Sequence, residues 1–388
     1  MGSMSYRPLP RSGDKISVIG LGMGSVHEST DVEIGQMIER ALEAGVNFFD
    51  GVPSVWRPLE AYGHALQSVR SEVFLQIHLG AMYETGNERK YGWTLDLDTM
   101  KRTFEAEMKA LRTDYADFGF VHCVDKDADL DRYLHDGPWD YLQSLKAAGN
   151  VRRLGASTHS PRIARRLVET GAIDMLMFSV NPAYDYAASS SDVSIGAVDE
   201  RAELYRLCER AGVVISVMKA FAGGQLLDAN MSPFKQALTK NQLIQYALDR
   251  PAVLTVLPGV RSLADVEEVL RFLDATPEEC DYSAIGTFAP PEAQGACVYC
   301  NHCLPCPAGI DVGLVNKYYD LARAGDALAV EHYRQLSTSA ADCLACGHCE
   351  SRCPFGVAQE ERMQEIATYF NYSVEKHPNK REQYGTDN

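Results

Sequence analysis

From Lys15 to about residue 275, short apolar runs alternate with longer stretches whose apolar positions recur every three or four residues. The short runs read as strands and the 3.6-residue periodicity as helices. Lys15–Leu21 is a predicted strand, and Asp31–Ala44 a helix with Ile34, Met37, Ile38, Ala41 and Leu42 on one face and Gly45 as its stop. Further strands are predicted at Val46–Asp50, Val73–Leu79, Phe118–His122, Arg153–Ser157, Asp174–Val180, Val213–Met218 and Val253–Leu257. Helices are predicted between them at Leu59–Gln67, Asp98–Leu111, a region ending at Ala148, a segment opened by Pro161, Glu200–Arg210, Asn241–Leu248 and Leu263–Leu273. Proline suits the first helical turn, where its missing N–H costs nothing. Eight strands and eight helices in strict alternation predict an α/β chain built on a (β/α)8 TIM barrel, at a length near the usual ~250 residues.

The pattern changes after residue 275. Asp274–Ala296 carries Pro277, Pro290 and Pro291 and reads as a linker, and the two helical stretches Val312–Ala324 and Asp326–Gln335 sit among clustered cysteines. The predicted organisation is a barrel over 1–275, a linker over 276–296, a C-terminal α-rich module over 297–373 and a loose charged tail over 374–388. A chain of 388 residues exceeds the range of a single core, which agrees with a second, smaller domain.

Eight of the eleven cysteines lie in that module, as Cys297, Cys300, Cys303 and Cys306 before Pro307, and as Cys343, Cys346, Cys349 and Cys353 before Pro354. Three thiolates two residues apart wrap three corners of a cubane, and a fourth before a proline reaches the neighbouring cluster, so the spacing predicts two [4Fe–4S] clusters in a ferredoxin-like domain. The wiring crosses over: Cys297, Cys300 and Cys303 pair with Cys353, and Cys343, Cys346 and Cys349 with Cys306. The first run departs from the pattern in having two residues, not three, before its last cysteine. Zinc prefers two separated Cys-x-x-Cys knuckles, and disulfides need an oxidising compartment for which no signal peptide is visible. Scattered Cys123, Cys208 and Cys280 read as small buried hydrophobes.

Net charge is 37 minus 53, or −16, with basic residues dispersed, so nucleic acid is excluded as a partner. No apolar run approaches the roughly eighteen residues of a membrane span. The expectation is a cytoplasmic enzyme of an oxygen-poor setting, acting on a small molecule and fed by a ferredoxin- or flavodoxin-type donor.

Barrel active sites are built at the C-terminal ends of strands. Reading those ends gives His27 after the first strand, Asp50 after the second, His78 in the third, His122 ending the fourth, and Thr158 and His159 after the fifth. A carboxylate beside an imidazole raises its proton affinity, which suits acid catalysis near neutral pH. Alternatively, His27, Asp50, His78 and His122 hold a divalent metal, as two histidines and a carboxylate commonly do. Asp125 reads as a loop cap.

Several strings resemble the aldo/keto reductase family: Ile19-Gly20-Leu21-Gly22, Ala44-Gly45-Val46-Asn47-Phe48-Phe49-Asp50, Asp114-Tyr115-Ala116-Asp117 running into Val121-His122, Gly155-Ala156-Ser157-Thr158-His159-Ser160, Val217-Met218-Lys219-Ala220-Phe221-Ala222-Gly223-Gly224 and Leu257-Pro258-Gly259-Val260-Arg261-Ser262. With Cys297–Pro307, the whole chain resembles the branch carrying a C-terminal ferredoxin-like domain. The resemblance implies hydride transfer from NADPH to a carbonyl, assisted by Asp, Tyr, Lys and His. Asp50 and His122 match two of those stations, but the tyrosine station is Val55, next to Trp56, and the lysine station is His78. Tyr62, on a predicted helix, is the nearest tyrosine. His78 held by Asp50 then becomes the expected proton donor, an imidazolium being a stronger acid than a phenol. The resemblance also implies NADP(H) binding through Ser157, Thr158, Ser179, Lys219, Gly259 and Arg261, although Asp265 and Val269 replace the usual Gln and Asn near the adenine and Ser179 a usual Gln. Two readings stay open: an iron–sulfur oxidoreductase of a small carbonyl or enone compound, or a redox-neutral or metal-assisted dehydratase or isomerase with structural clusters.

Overall fold

The structure is a computed structural model and describes residues 2–53, 55–83, 92–186, 198–283, 285, 295, 297, 303–323, 327–353 and 355–376. The chain divides into two compact units, Met1–Tyr282 and Ser283–Asn388.

The first unit is a (β/α)8 barrel. Its strands are β1 (Leu21–Gly22), β2 (Phe48–Asp50), β3 (Phe74–Leu79), β4 (Ala116–Val121), β5 (Val151–Ser157), β6 (Met175–Ser179), β7 (Val214–Met218) and β8 (Val253–Val256). Each pairs in parallel with the next in one sheet. Closure comes from a parallel bridge between Ile19 and Val256, with Gly20 N–H donating to Val256 O at 2.9 Å and Val256 N–H to Val18 O at 2.9 Å. The predicted first strand is divided: Lys15–Ser17 pairs antiparallel with Tyr6–Pro8, and residues 18–22 join the barrel. Leu9 and Ile16 of this hairpin are buried with Phe48, Phe118, Met175, Val214 and Leu254, residues at the N-terminal ends of their strands, so the hairpin plugs the barrel floor.

Alternation along each strand sorts the inner face into layers. Phe48 and Asp50 on β2, Gln76 and His78 on β3, Phe118 and Phe120 on β4, and Met175, Met177 and Ser179 on β6 lie two residues apart, apolar low in the barrel and polar towards the rim. The register sets Asp50 beside Gln76, His78 beside Phe120, and Phe120 beside Gly155. A Cβ at Gly155 would stand 2.0 Å from Phe120 Cε1, so the glycine is what lets that ring lie against β5 and face His78, centroid to centroid 5.3 Å.

Helices surround the sheet with definite ends. Thr30 and Glu33 form a capping box on α1 (Asp31–Glu43), and Ser160 caps the Pro161–Glu169 helix, which opens on proline. The predicted helical region before Ala148 is two helices, Asp127–His135 and Pro138–Ala148, broken at Gly137 with φ 101°. Asp117, on the outer face of β4, accepts from Leu75 N–H and pairs with Arg70 and Arg152 at 2.9 and 3.0 Å, while both guanidinium groups stack on Tyr115. The Asp-Tyr-Ala-Asp string is thus a structural clamp. Inside, Arg201 pairs with Asp185 and donates to Ser179 O, fixing the end of β6. Tyr282 belongs to this unit, its hydroxyl donating to Asp249 at 2.7 Å, so packing extends seven residues past residue 275 into the predicted linker.

In the second unit, helices Val312–Arg323 and Ala327–Arg334 pack with a long helix, Gln359–Lys376, around Ile310, Val315, Tyr319, Met363, Ile366 and Phe370. That long helix has no counterpart among the elements predicted from periodicity, and it runs three residues into the tail predicted from 374. Residues 377–388 lie outside the described residues.

Candidate active site and thiol-lined cavity

The rim of the barrel carries a buried hydrogen-bonded chain. His78 Nε2 stands 2.9 Å from Asp50 Oδ1, and His78 Nδ1 3.1 Å from Nδ1 of His122. Gln76 Nε2 donates to the same Asp50 oxygen at 2.6 Å, and its own Oε1 accepts from Ser216 Oγ at 3.3 Å. Asp50, Gln76 and His78 are buried, whereas His122 is partly exposed. Both ring nitrogens of His78 are therefore occupied, and the imidazole facing the mouth is that of His122. Burial, then the neighbouring His78 and His159, push His122 down to about 3, so it is neutral at ordinary pH.

The tyrosine station stays empty of a phenol. Val55 and Trp56 occupy it, Trp56 packing edge-on against Tyr83 at 5.7 Å. Tyr62 is buried on the Arg57–Leu66 helix, its hydroxyl has no hydrogen-bond partner among the described residues, and burial followed by the charge of Asp50 raises its pKa. His27 is exposed, and among the described residues none of Asp50, His78 and His122 bonds to its side chain; its carbonyl accepts from Arg57. The four residues do not converge as a metal-ligand set.

A second cluster, which no local spacing predicted, lies in the loops after β4, β5 and β7. Asp125 Oδ1 accepts from Thr158 Oγ1 at 2.8 Å and from His159 N–H at 2.6 Å, and its Oδ2 from His159 Nδ1 at 2.9 Å. Asp125 is thus the loop cap the sequence suggested, and Thr158 is spent on holding that loop. Burial opposes its charge, but the hydrogen bonds from His159 and Thr158 outweigh this and hold it below the usual carboxylate range. Cys123 Sγ stands 3.7 Å from Asp125 and 3.8 Å from His159, and burial and Asp125 push its thiol up to about 12. Lys219 Nζ lies 3.2 Å from His159 Nε2, and burial lowers its pKa. Cys123 is half-buried at the rim, unlike the core position expected of it. Its Cys-x-Asp spacing was visible, but the partner thirty-odd residues on was not.

The nucleotide candidates lie along the same rim. Ser157 and Ser179 are buried, and Ser179 Oγ has no partner among the described residues, an orphaned hydroxyl that fits a ligand amide. Gly259 lies beside Ser25, and Arg261 is exposed and paired with Asp265 at 3.3 Å. Asp265 also draws Lys240.

In the second unit, one cavity is lined by Cys306, Cys343, Cys346 and Cys349 with apolar Ile310, Val312 and Met363 behind them. Ala345 and Gly347, at φ 51° and 67°, turn the loop on which Cys343, Cys346 and Cys349 all line this cavity. Four cysteines on one cavity suit a cubane. Of the other set, Cys297, Cys303 and Cys353 are described, and Cys300 lies outside the described residues.

The aldo/keto reductase family profile matches residues 18–244 and a 4Fe-4S dicluster domain profile matches residues 293–357. Among solved structures, the holo form of the aldo-keto reductase AKR11C1 from Bacillus halodurans is 21% identical, covers 74% of this chain and 97% of its own, and superposes with a TM-score of 0.60. The apo form gives 19%, 74%, 96% and 0.54. No curated protein matches. The barrel and the thiol-lined module agree with both profiles, and the chain belongs to the aldo/keto reductase family of oxidoreductases, with a 4Fe-4S domain at its C-terminal end.

Proposed function

We propose that this protein reduces a small carbonyl or enone compound, or oxidises the corresponding alcohol, using electrons from two [4Fe–4S] clusters, from NADPH, or from both. The observation that carries the reading is the cavity ringed by Cys306, Cys343, Cys346 and Cys349, because four thiols have no acid–base task there. They would hold one cluster, and Cys297, Cys300, Cys303 and Cys353 the other. When bound, the clusters supply single electrons and NADPH a hydride.

The chain's own residues handle the proton. In one arrangement of the protons, His78 donates from Nε2 to Asp50 and accepts at Nδ1 from His122, which leaves His122 Nε2 as an acceptor at the mouth. One proton added to the chain at the mouth reverses the sense of these bonds. His78 Nδ1 then donates to His122, whose Nε2 becomes a donor. The same chain can protonate a nascent alkoxide or deprotonate an alcohol, according to its proton count, and so replaces the missing tyrosine. His78 acts through His122 rather than on the substrate directly.

The nucleotide route uses Ser157, Ser179, Lys219, Gly259 and Arg261, with Asp265 drawing off part of the charge of Arg261. The test is anaerobic turnover of carbonyl substrates with NADPH against turnover with dithionite or reduced ferredoxin. Activity with either, lost when the clusters are removed, supports the cluster-fed form, and NADPH activity that survives their removal supports a reductase with structural clusters. Turnover that needs neither donor would point to redox-neutral acid–base chemistry and sink the proposal.

A further inference from the structure

We infer that Cys123, Asp125 and His159 form a binding site for one borderline divalent cation, zinc being the ion that suits its donors. The inference is independent of the proposed reaction. The ligand atoms lie within 4.8 Å of one another, with edges of 3.7 Å from Cys123 Sγ to Asp125 Oδ2, 3.8 Å from Cys123 Sγ to His159 Nδ1, and 2.9 Å between Asp125 Oδ2 and His159 Nδ1. A tetrahedral ion bound at about 2.3 Å to sulfur and about 2.0 Å to nitrogen and oxygen needs edges of about 3.3–3.6 Å. Two edges are near that size and the third opens by a few tenths of an ångström. Three protein donors leave a fourth position for water or substrate, as in zinc sites that do chemistry. A thiolate, an imidazole and a carboxylate together favour zinc over magnesium or calcium.

The surroundings hold the donors in place. Cys123 has φ 51°, unusual for a side-chain-bearing residue, and the next residue's N–H donates to Ser157 O at 3.1 Å, which pins the turn to β5. Thr158 Oγ1 and the His159 N–H occupy only Oδ1 of Asp125, leaving Oδ2 turned towards Cys123 and the imidazole. Such outer partners orient ligating carboxylates. Without the ion, Asp125 and His159 satisfy each other, so the site is a loop clamp that can also take a cation.

Binding releases the thiol proton and moves the imidazole proton from Nδ1 to Nε2. That nitrogen now faces the Lys219 ammonium at 3.2 Å, and two donors cannot share the contact. Lys219 must turn away, which makes it a competitor of the cation.

The test uses the full chain with its clusters intact, stripped of loosely held metal and dialysed anaerobically against zinc alone, with zinc, iron and sulfide counted together. One zinc per chain beyond the cluster metal is expected, lost in Cys123→Ser at unchanged iron and sulfide content. Lys219→Met should bind the ion about tenfold more tightly. Zinc held equally by Cys123→Ser, or absent from the unaltered chain and from Lys219→Met alike, overturns the inference.

Discussion

At the scale of single residues, the proposed proton chain at the rim depends on one buried carboxylate. Asp50 faces two partners, Gln76 and His78, at the inner end of the hydrogen-bonded chain that leads to His122. Asp50→Asn keeps the shape and removes the carboxylate, so the rate of the proposed carbonyl reduction should fall by about 10²–10⁴ with little change in KM, measured by steady-state kinetics at matched iron content. The sequence disclosed this chain in part. Asp50, His78 and His122 occupy strand-end positions that any barrel turns towards one mouth, and they do meet. His27 was placed in the same set on position alone, yet it sits in a loop, and loop direction is set by contacts such as Arg57 to the His27 carbonyl that no local pattern encodes. Cys123, Asp125 and His159 come together for the complementary reason: a left-handed turn at Cys123 redirects a side chain whose type alone suggested burial.

At the scale of elements, short apolar runs between helix-period stretches marked each barrel strand, because strand sterics and burial act locally. Elements that depend on distant partners were harder to read. Lys15–Ser17 looks like the start of a barrel strand until its antiparallel mate at Tyr6–Pro8 is known, and the Gln359–Lys376 helix is amphipathic only against a core supplied by Val315, Tyr319 and Tyr333. The helix Leu97–Ala110 carries a measurable signature of its own. Glu107 is buried on it, with Tyr83 donating to one carboxyl oxygen, and burial, only partly offset by that bond, raises it to about 8. Its folded pKa lies above the unfolded value, so the contribution to stability is full below about pH 4.5 and is lost as pH rises through 8. The loss approaches about 1.4 kcal/mol per pH unit within that window. Glu107→Gln keeps the Tyr83 bond and removes the proton, so the variant should gain stability on the parent between pH 6 and pH 9 in denaturant titrations.

At the scale of the whole molecule, two units with separate cores make the clusters and the barrel separable in stability. The C-terminal core is small, and four of its cysteines, Cys303, Cys306, Cys343 and Cys349, pack in or against it, so the proposed cluster ligands would belong to its folding. Removing the clusters by oxidation and chelation should abolish the unfolding transition of Ser283–Asn388 and move that of the barrel by only a few degrees, read by anaerobic calorimetry.

The floor of the barrel, stoppered by Leu9 and Ile16, has a consequence for turnover. With Leu9 and Ile16 filling the lower end, the proposed carboxylate–imidazole chain would be recharged from above, and a substrate seated at the mouth would cover that doorway. Each encounter can then draw on a stored supply of one hydrogen ion, which matches a hydride delivered whole; two electrons arriving separately would demand a refill midway, and a solvent isotope inventory would count it.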